Sequence, residues 1–342
     1  MKTFEIVLCE ERNVTMTMYL NLESEEFHHR NRPLIIVLPG GGYSMCSDRE
    51  AEVVALSYMA AGYQACVLRY TLKDKAGWPY PINDYDEAYE KIAENAEEWR
   101  IDMKHVATVG FSAGGHLAAC TATVAKHRPN AAILVYAAIK KDIVDACQPG
   151  MPYPAEHVDG NTSPCFIVAS RDDSLVNVSN SLEFGLALEK NGINFETHIY
   201  SFGQHGFSVA TPVITTSAIT QRAAKWVPDS ITWLNEMMGE FTEHGFREPV
   251  LSAKVNDNYE EFLSVNCTLG HMLNQPEESQ KIIEALLEGI KGITAERGID
   301  FLSFCAAISG FTIKELLALV QTPEEGMKQI DAALRTIPNR RK

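Results

Sequence analysis

The segment Val106–Ala119 reads VATVGFSAGGHLAA, and inside it a serine stands between spaced glycines as Gly110-Phe111-Ser112-Ala113-Gly114. A serine hydroxyl is a weak nucleophile until a base removes its proton. The G-x-S-x-G spacing presents such a serine on a sharp strand-to-helix turn, and glycines at the flanks leave out the Cβ atoms that would clash there. The pentapeptide alone recurs in unrelated chains, so its weight comes from the apolar strand pattern before it and the helical pattern after it. If Ser112 attacks a carbonyl, the chain must also supply a histidine and a carboxylate to orient it.

Of the ten histidines, His205 lies in THIYSFGQHGFS, in a glycine-flanked loop just past a strand pattern. His116 follows the nucleophile on the same helix, where a packed or capping role is expected. His28 and His29 belong to a polar loop, and His105, His127, His157, His198, His244 and His271 show no partner spacing or metal-ligand pattern. The carboxylate is expected in FIVASRDDSLVNVSNS, just past the preceding strand pattern, which gives the chain order serine, acid, histidine of α/β hydrolases. Asp172 and Asp173 both qualify, and spacing does not choose between them.

A second stretch, Leu38 to Glu50, reads LPGGGYSMCSDRE. Bare backbone after a strand can cradle a phosphate, receive an oxyanion or simply turn. No G-x-G-x-x-G spacing follows, so a nucleotide site is disfavoured. Ser47-x-x-Glu50 reads as a capping box, which would make the charges of SDRE structural.

Strand patterns at Phe4–Cys9, Val14–Leu20, Leu34–Leu38, Tyr63–Tyr70, Val106–Gly110, Ala131–Tyr136, Cys165–Ser170 and Phe195–Tyr200 alternate with helical ones. The helical patterns are Asp48–Ala61, Ile82–Arg100, Ala113–Lys126, Asn180–Asn191 and Ile231–Phe241. This alternation predicts a mostly parallel sheet covered on both faces, with the first two runs as an antiparallel edge hairpin. The expected organisation is a catalytic domain over 1–242, a linker over 243–256 and a small all-α domain over 257–342. In that tail, Pro276 at a helix start, the pairs Thr312/Glu315 and Thr322/Glu325, and the row Ile282, Ile283, Leu286, Leu287, Ile290 are helix signals. Its expected role is packing or homo-oligomerisation through an apolar helix face. Its few Lys and Arg residues disfavour DNA binding.

A net charge of -15 argues against a nucleic-acid partner, whose phosphates would need Lys and Arg. No apolar run is long enough for a membrane span, and the N-terminal run is too short for a signal peptide. The eight cysteines lack a C-x-x-C pair and sit mostly in apolar runs, as reduced thiols of a cytoplasmic protein would. Neither a metal nor another cofactor is expected.

The pieces PGGGY, SDREAE, AAGYQACVLRY, GFSAGGHLAA, DDSLV and GQHGF resemble the esterase branch of the α/β-hydrolase superfamily, over about Leu34 to Phe241. They are similar to carbohydrate acetyl esterases of the acetyl-xylan type, related to hormone-sensitive-lipase-like and prolyl-oligopeptidase-like hydrolases. The resemblance implies an α/β-hydrolase fold, Ser112 as nucleophile, His205 as base and Asp173 as the acid. It also implies an oxyanion hole from the backbone N–H groups of Gly41, Gly42 and Ala113. Lipase-like relatives carry H-G-G-G, and Pro39 replaces that histidine here while the glycines remain.

The expected activity is hydrolysis of short acyl esters, acetyl above all, of sugars or oligosaccharides through an acyl-enzyme. The short polar segment after Tyr136 fits a small acyl group, and Tyr43, Met45, Trp78 and Tyr80 are candidate sugar contacts. A prolyl-oligopeptidase-like peptidase is the alternative enzyme, although propeller repeats are lacking. A non-catalytic binding module is a further one, which the intact Ser112, Asp173 and His205 set disfavours.

Overall fold

The structure is a computed structural model that describes all residues except 23–25, 27–29, 215–217, 243–244, 256–259, 276–299, 320 and 340–342. It divides into two compact units, Met1–Ala253 and Lys254–Lys342.

In the first unit, β1 (Lys2–Cys9), β2 (Val14–Leu20), β3 (Arg32–Leu38), β4 (Gln64–Arg69), β5 (Ile101–Phe111), β6 (Ala131–Val135), β7 (Cys165–Ser170) and β8 (Phe195–Tyr200) form one sheet. The strand order is β1-β2-β4-β3-β5-β6-β7-β8. β1 and β2 pair antiparallel at the edge, β2 joins β4 antiparallel, and every later pairing is parallel. The central strands are apolar at nearly every position because helices cover both faces. Alternation of side chains still sorts them: Leu34, Ile36 and Leu38 of β3 enter one core, Ile35 and Val37 the other. The first core takes in α2 (Tyr80–Glu94), α4 (Ser112–Thr123) and α6 (Ser179–Lys190), the second α1 (Glu52–Ala60) and α7 (Trp226–Met238).

Several expectations shift at their boundaries: the strand expected from Val106 begins at Ile101, and the helix expected from Asp48 begins at Glu52. The helical pattern expected over Ile82–Arg100 starts at Tyr80 and is interrupted at Asn95, before the short α3 (Ala96–Trp99). The last helix of this unit begins at Trp226 rather than Ile231, and Phe241 lies instead in a two-stranded ribbon of β9 (Glu240–Thr242) and β10 (Gly245–Arg247). Phe241 and Phe246 pack on each other and on His105, so residues assigned to a linker contribute an aromatic contact to the first unit.

The described part of the second unit contains α8 (Leu269–Leu273), α9 (Phe301–Ala307), α10 (Ile313–Leu319) and α11 (Glu324–Leu334). Leu263, Cys267, Leu269, Met272, Cys305, Ile313 and Leu334 give it a core of its own. Thr312 and Glu315 exchange capping bonds, the Thr312 N–H donating to Glu315 Oε2 and the Glu315 N–H to Thr312 Oγ1. Thr322 does not cap the next helix, which starts after Pro323 without a side-chain cap. The helix start at Pro276 and the Ile282–Ile290 row lie outside the described residues, as do His28, His29 and His244. No described helix is long and apolar enough to cross a membrane.

What positions the site is the turn from β5 into α4. Ser112 sits there with φ of 51°, in the left-handed region that costs a non-glycine residue energy. A Cβ at Gly114 would stand 2.1 Å from the Leu38 carbonyl oxygen, and one at Gly110 would stand 2.1 Å from that of Gly114. These are backbone contacts that cannot swing aside. Gly114→Ala is expected to lower unfolding free energy by about 3 kcal/mol in urea denaturation, as overpacking against rigid backbone does; an unchanged midpoint would contradict the tight fit.

Candidate active site

Three loops meet at the C-terminal edge of the sheet. The elbow brings Ser112, the loop after β7 brings Asp173, and the loop after β8 brings His205. His205 Nε2 lies 2.8 Å from Ser112 Oγ and His205 Nδ1 lies 2.7 Å from Asp173 Oδ2. With Nδ1–H donated to the carboxylate, Nε2 is left to accept the serine proton. Asp173 is 3% exposed, and its Oδ1 accepts from the N–H groups of Leu175 and Val176, both at 2.9 Å. These bonds fix the carboxylate before any imidazolium forms. Asp172 points elsewhere: its Oδ1 accepts from the Gly203 N–H at 2.7 Å and ties the β7 loop to the β8 loop.

The loop Pro39–Met45 runs beside the elbow. Gly41 has φ of 133° and Gly42 of 61°, and a Cβ at Gly41 would stand 2.2 Å from the Met45 carbonyl oxygen. The loop is pinned by Tyr70, whose hydroxyl donates to the Pro39 carbonyl at 2.6 Å, and by the Lys73 N–H, which donates to the Tyr43 carbonyl at 2.7 Å. Among the described residues no group accepts from the N–H of Gly41, Gly42 or Ala113, and Ala113 opens a helix whose first-turn donors lack helical partners.

In front of Ser112 lies a cleft of about 500 Å³. Met45, Ile143, Ala146, Leu175 and Val176 line it on the apolar side, with Arg49, Glu50, Ser112 and His205 on the polar side. The segment after Tyr136, expected as a polar loop, forms α5 (Lys141–Cys147) and supplies part of that apolar wall.

Of the sugar contacts expected from sequence, only Met45 lines this cleft. Tyr43 is 2% exposed and its ring packs on Tyr70 and His116, so it cannot stack on a ligand. Trp78 packs against the core of the sheet, and Tyr80 lies under the Arg12 guanidinium. Exposed loop aromatics and packed ones look alike in sequence, because both follow strands. The capping box at Ser47 also fails: Ser47 makes no capping bond and Glu50 turns inward. That an acidic residue sat one turn after the glycines was visible, but its burial was not.

His116 is packed, as its place on the helix suggests. Its Nε2 lies 2.8 Å from the Pro152 carbonyl, which can only accept, so Nδ1 accepts from the Tyr43 hydroxyl at 2.7 Å. Burial pushes its pKa down to about 4, which the Pro152 contact only partly offsets.

With this geometry in view, comparisons with known proteins are informative. The family model described as BD-FAE matches residues 18–142. The crystal structure of MGS-M1, an α/β hydrolase enzyme from a Medee basin deep-sea metagenome library, aligns at 36% identity and a TM-score of 0.65, over 69% of this chain and 98% of that one. The chain belongs to the α/β-hydrolase superfamily. It is also similar to the acetylxylan esterase of Xylanibacter ruminicola, at 28% identity over 56% of this chain and 45% of that protein. It is 32% identical to endo-1,4-beta-xylanase B of Butyrivibrio fibrisolvens, over 52% of this chain and 33% of that protein. The chain thus spans less than half the length of these two curated relatives.

Two outcomes are expected of this site. Asp173→Asn lowers kcat for an activated ester by roughly 10⁴-fold, since a neutral amide neither fixes the Nδ1–H tautomer nor balances the imidazolium; Asp172→Asn lowers it by less than about tenfold, and the reverse order would reassign the acid. For stability, the His116 pKa falls from 6.5 unfolded to about 4 folded, so the unfolded chain binds the extra proton between those values. Stability from His116 is therefore complete above the unfolded value and is lost as pH falls, by at most about 1.4 kcal/mol per pH unit. Urea unfolding at pH 7 and pH 5 should show this loss in the wild type and a flatter dependence in His116→Asn.

Proposed function

We propose that the chain is a serine carboxylesterase that hydrolyses short-chain acyl esters, chiefly acetyl esters, of sugars or oligosaccharides. The observation that carries this reading is the hydrogen-bonded line from Ser112 Oγ through His205 to Asp173, opening on a cleft that Gly41 and Gly42 also line.

In the first half-reaction Ser112 Oγ attacks the ester carbonyl and its proton passes to His205 Nε2. The carbonyl oxygen becomes an oxyanion, to which the N–H groups of Gly41, Gly42 and Ala113 donate. Each such donor contributes a few kcal/mol to the transition state, because it is already aimed and costs no reorganisation. Asp173 stabilises the imidazolium without itself taking the proton. The C–O bond to the alcohol then breaks, His205 returns the proton to the departing oxygen, and the acyl group stays on Ser112. Water repeats the sequence, with His205 as its base, and releases the acid. The cycle needs only the chain's own groups and water.

The short apolar wall of Met45, Ile143, Ala146, Leu175 and Val176 suits a small acyl group. The preference for a sugar alcohol rests on the similarity to an acetylxylan esterase.

The test is a substrate panel of p-nitrophenyl acetate, a long-chain p-nitrophenyl ester, acetylated xylo-oligosaccharides, other acetylated sugars and aminoacyl amides. We expect kcat/KM at least tenfold higher for acetate than for the long-chain ester, about 1.4 kcal/mol of discrimination. Release of acetate from the oligosaccharides and no turnover of the amides are expected with it. Ser112→Ala should abolish all turnover. Amide hydrolysis exceeding ester hydrolysis would overturn the esterase reading, and a preference for long chains would overturn the substrate class.

A further inference from the structure

One charged group in the cleft has no part in the acyl-transfer steps. Glu50 is 3% exposed, though it lines the same cleft as Ser112 and His205. Its Oε2 accepts from the Gly40 N–H at 2.9 Å, and its Oε1 accepts from the Tyr136 hydroxyl at 2.7 Å. The Tyr136 oxygen in turn accepts from the Ser208 N–H at 2.9 Å. A single line of hydrogen bonds therefore runs from Gly40, just before the oxyanion glycines, to Ser208, three residues past His205. The Ser208 hydroxyl closes the circuit by donating to the Arg49 carbonyl at 2.5 Å, and Trp226 Nε1–H donates to the Ser208 carbonyl at 2.9 Å.

The same tyrosine touches the base directly. The ring of Tyr136 meets that of His205 edge-on, with centroids 4.8 Å apart. Gly40 makes room for the arrangement, since a Cβ there would stand 2.7 Å from Glu50 Oε2 and 2.6 Å from the Phe111 carbonyl oxygen. Both carboxylate oxygens face donors, which suits the acceptor-only ionised form. Burial raises the pKa of Glu50, while the bonds from Tyr136 and Gly40 and the charges of His205 and Arg49 oppose that rise.

We propose that Glu50, acting with Tyr136, is a positioning residue of the reaction: it joins the oxyanion loop to the His205 loop and keeps a negative charge near the imidazolium as it forms. The proposal rests on the serine-hydrolase reading above. Among the described residues, Ser112 from the elbow, Asp173 from the β7 loop and Tyr136, just past β6, touch His205, while Glu50 and Arg49 from the turn after the glycines line the same cleft. Asp173 does the orienting. Glu50 adds a second carboxylate to balance the imidazolium, with Arg49 as the opposing cation. Loss of the Glu50 charge removes that balance in the transition state.

The variants Glu50→Gln and Tyr136→Phe separate charge from tether. With p-nitrophenyl acetate, Glu50→Gln should lower kcat roughly 10- to 100-fold with KM within about twofold, as expected when an interaction specific to the transition state is lost. Tyr136→Phe keeps the charge and cuts the tether, so kcat should fall about three- to tenfold at unchanged KM.

Wild-type kcat in Glu50→Gln, or a fall in kcat accompanied by a raised KM, overturns the proposal. If Glu50→Gln does not fold, Tyr136→Phe decides: wild-type kcat overturns the proposal and a fall at constant KM supports it. Ser112→Ala in the same assay keeps the two readings apart. Residual turnover there removes the hydrolase mechanism itself, whereas an inactive Ser112→Ala beside a fully active Glu50→Gln removes only the positioning role.

Discussion

The parallel pairing of β3 with β5, in the register Leu38 opposite Gly110, is the constraint from which the site follows. It ends the two central strands side by side, so the glycine loop after one and Ser112 after the other leave the sheet at adjacent points. The backbone at Gly114 then passes so close to Leu38 and Pro39 that no side chain fits between them. Strain at Ser112 is held by this packing: the helix behind it is buried along its length and the strand before it is locked between neighbours on both sides. A looser junction would let Ser112 relax and would separate its hydroxyl from the N–H groups of the oxyanion loop.

Around that junction, polar groups are buried only where a partner is waiting. Tyr70, Tyr43, Tyr136 and His116 each use a hydroxyl or ring nitrogen to hold a loop backbone or each other, and they do so among apolar side chains, where an unpaired polar atom would be costly. The two carboxylates of the site differ in how they are held. Asp173 is fixed by two backbone N–H groups and the imidazole. Glu50 is fixed by one backbone N–H and a tyrosine. The geometry of the site is thus kept by satisfied buried polar groups on several elements, each of which would pay a desolvation cost if it moved.

Much of this was legible in the sequence. The strand and helix patterns report a hydrophobic periodicity that any sheet covered on both faces imposes, and the order of Ser112, Asp173 and His205 reports where successive strands end. The failures have one cause. Glu50 was read as half of a capping box because Ser47-x-x-Glu50 satisfies the local rule, yet the residue meets Gly40 and Tyr136, the latter 86 positions away. Tyr43 was read as a ligand platform because it lies in a loop, yet its hydroxyl reaches His116, 73 positions away. Local pattern carries no information about such distant partners.

The amino-acid sequence by itself determined the alternation of strands and helices, the glycine-bounded serine and a histidine loop late in the chain, because these depend on periodicity and on backbone sterics within a few residues. Residue spacing left two adjacent aspartates open and resemblance to a family favoured Asp173; the tertiary structure shows why that one meets the histidine. The turn after β7 directs Asp173 toward His205 and Asp172 toward the Gly203 N–H, and that direction is set by the loops' packing on one another. The same holds for the charge of Glu50, which sequence assigns to a helix start and the fold turns inward beside the base.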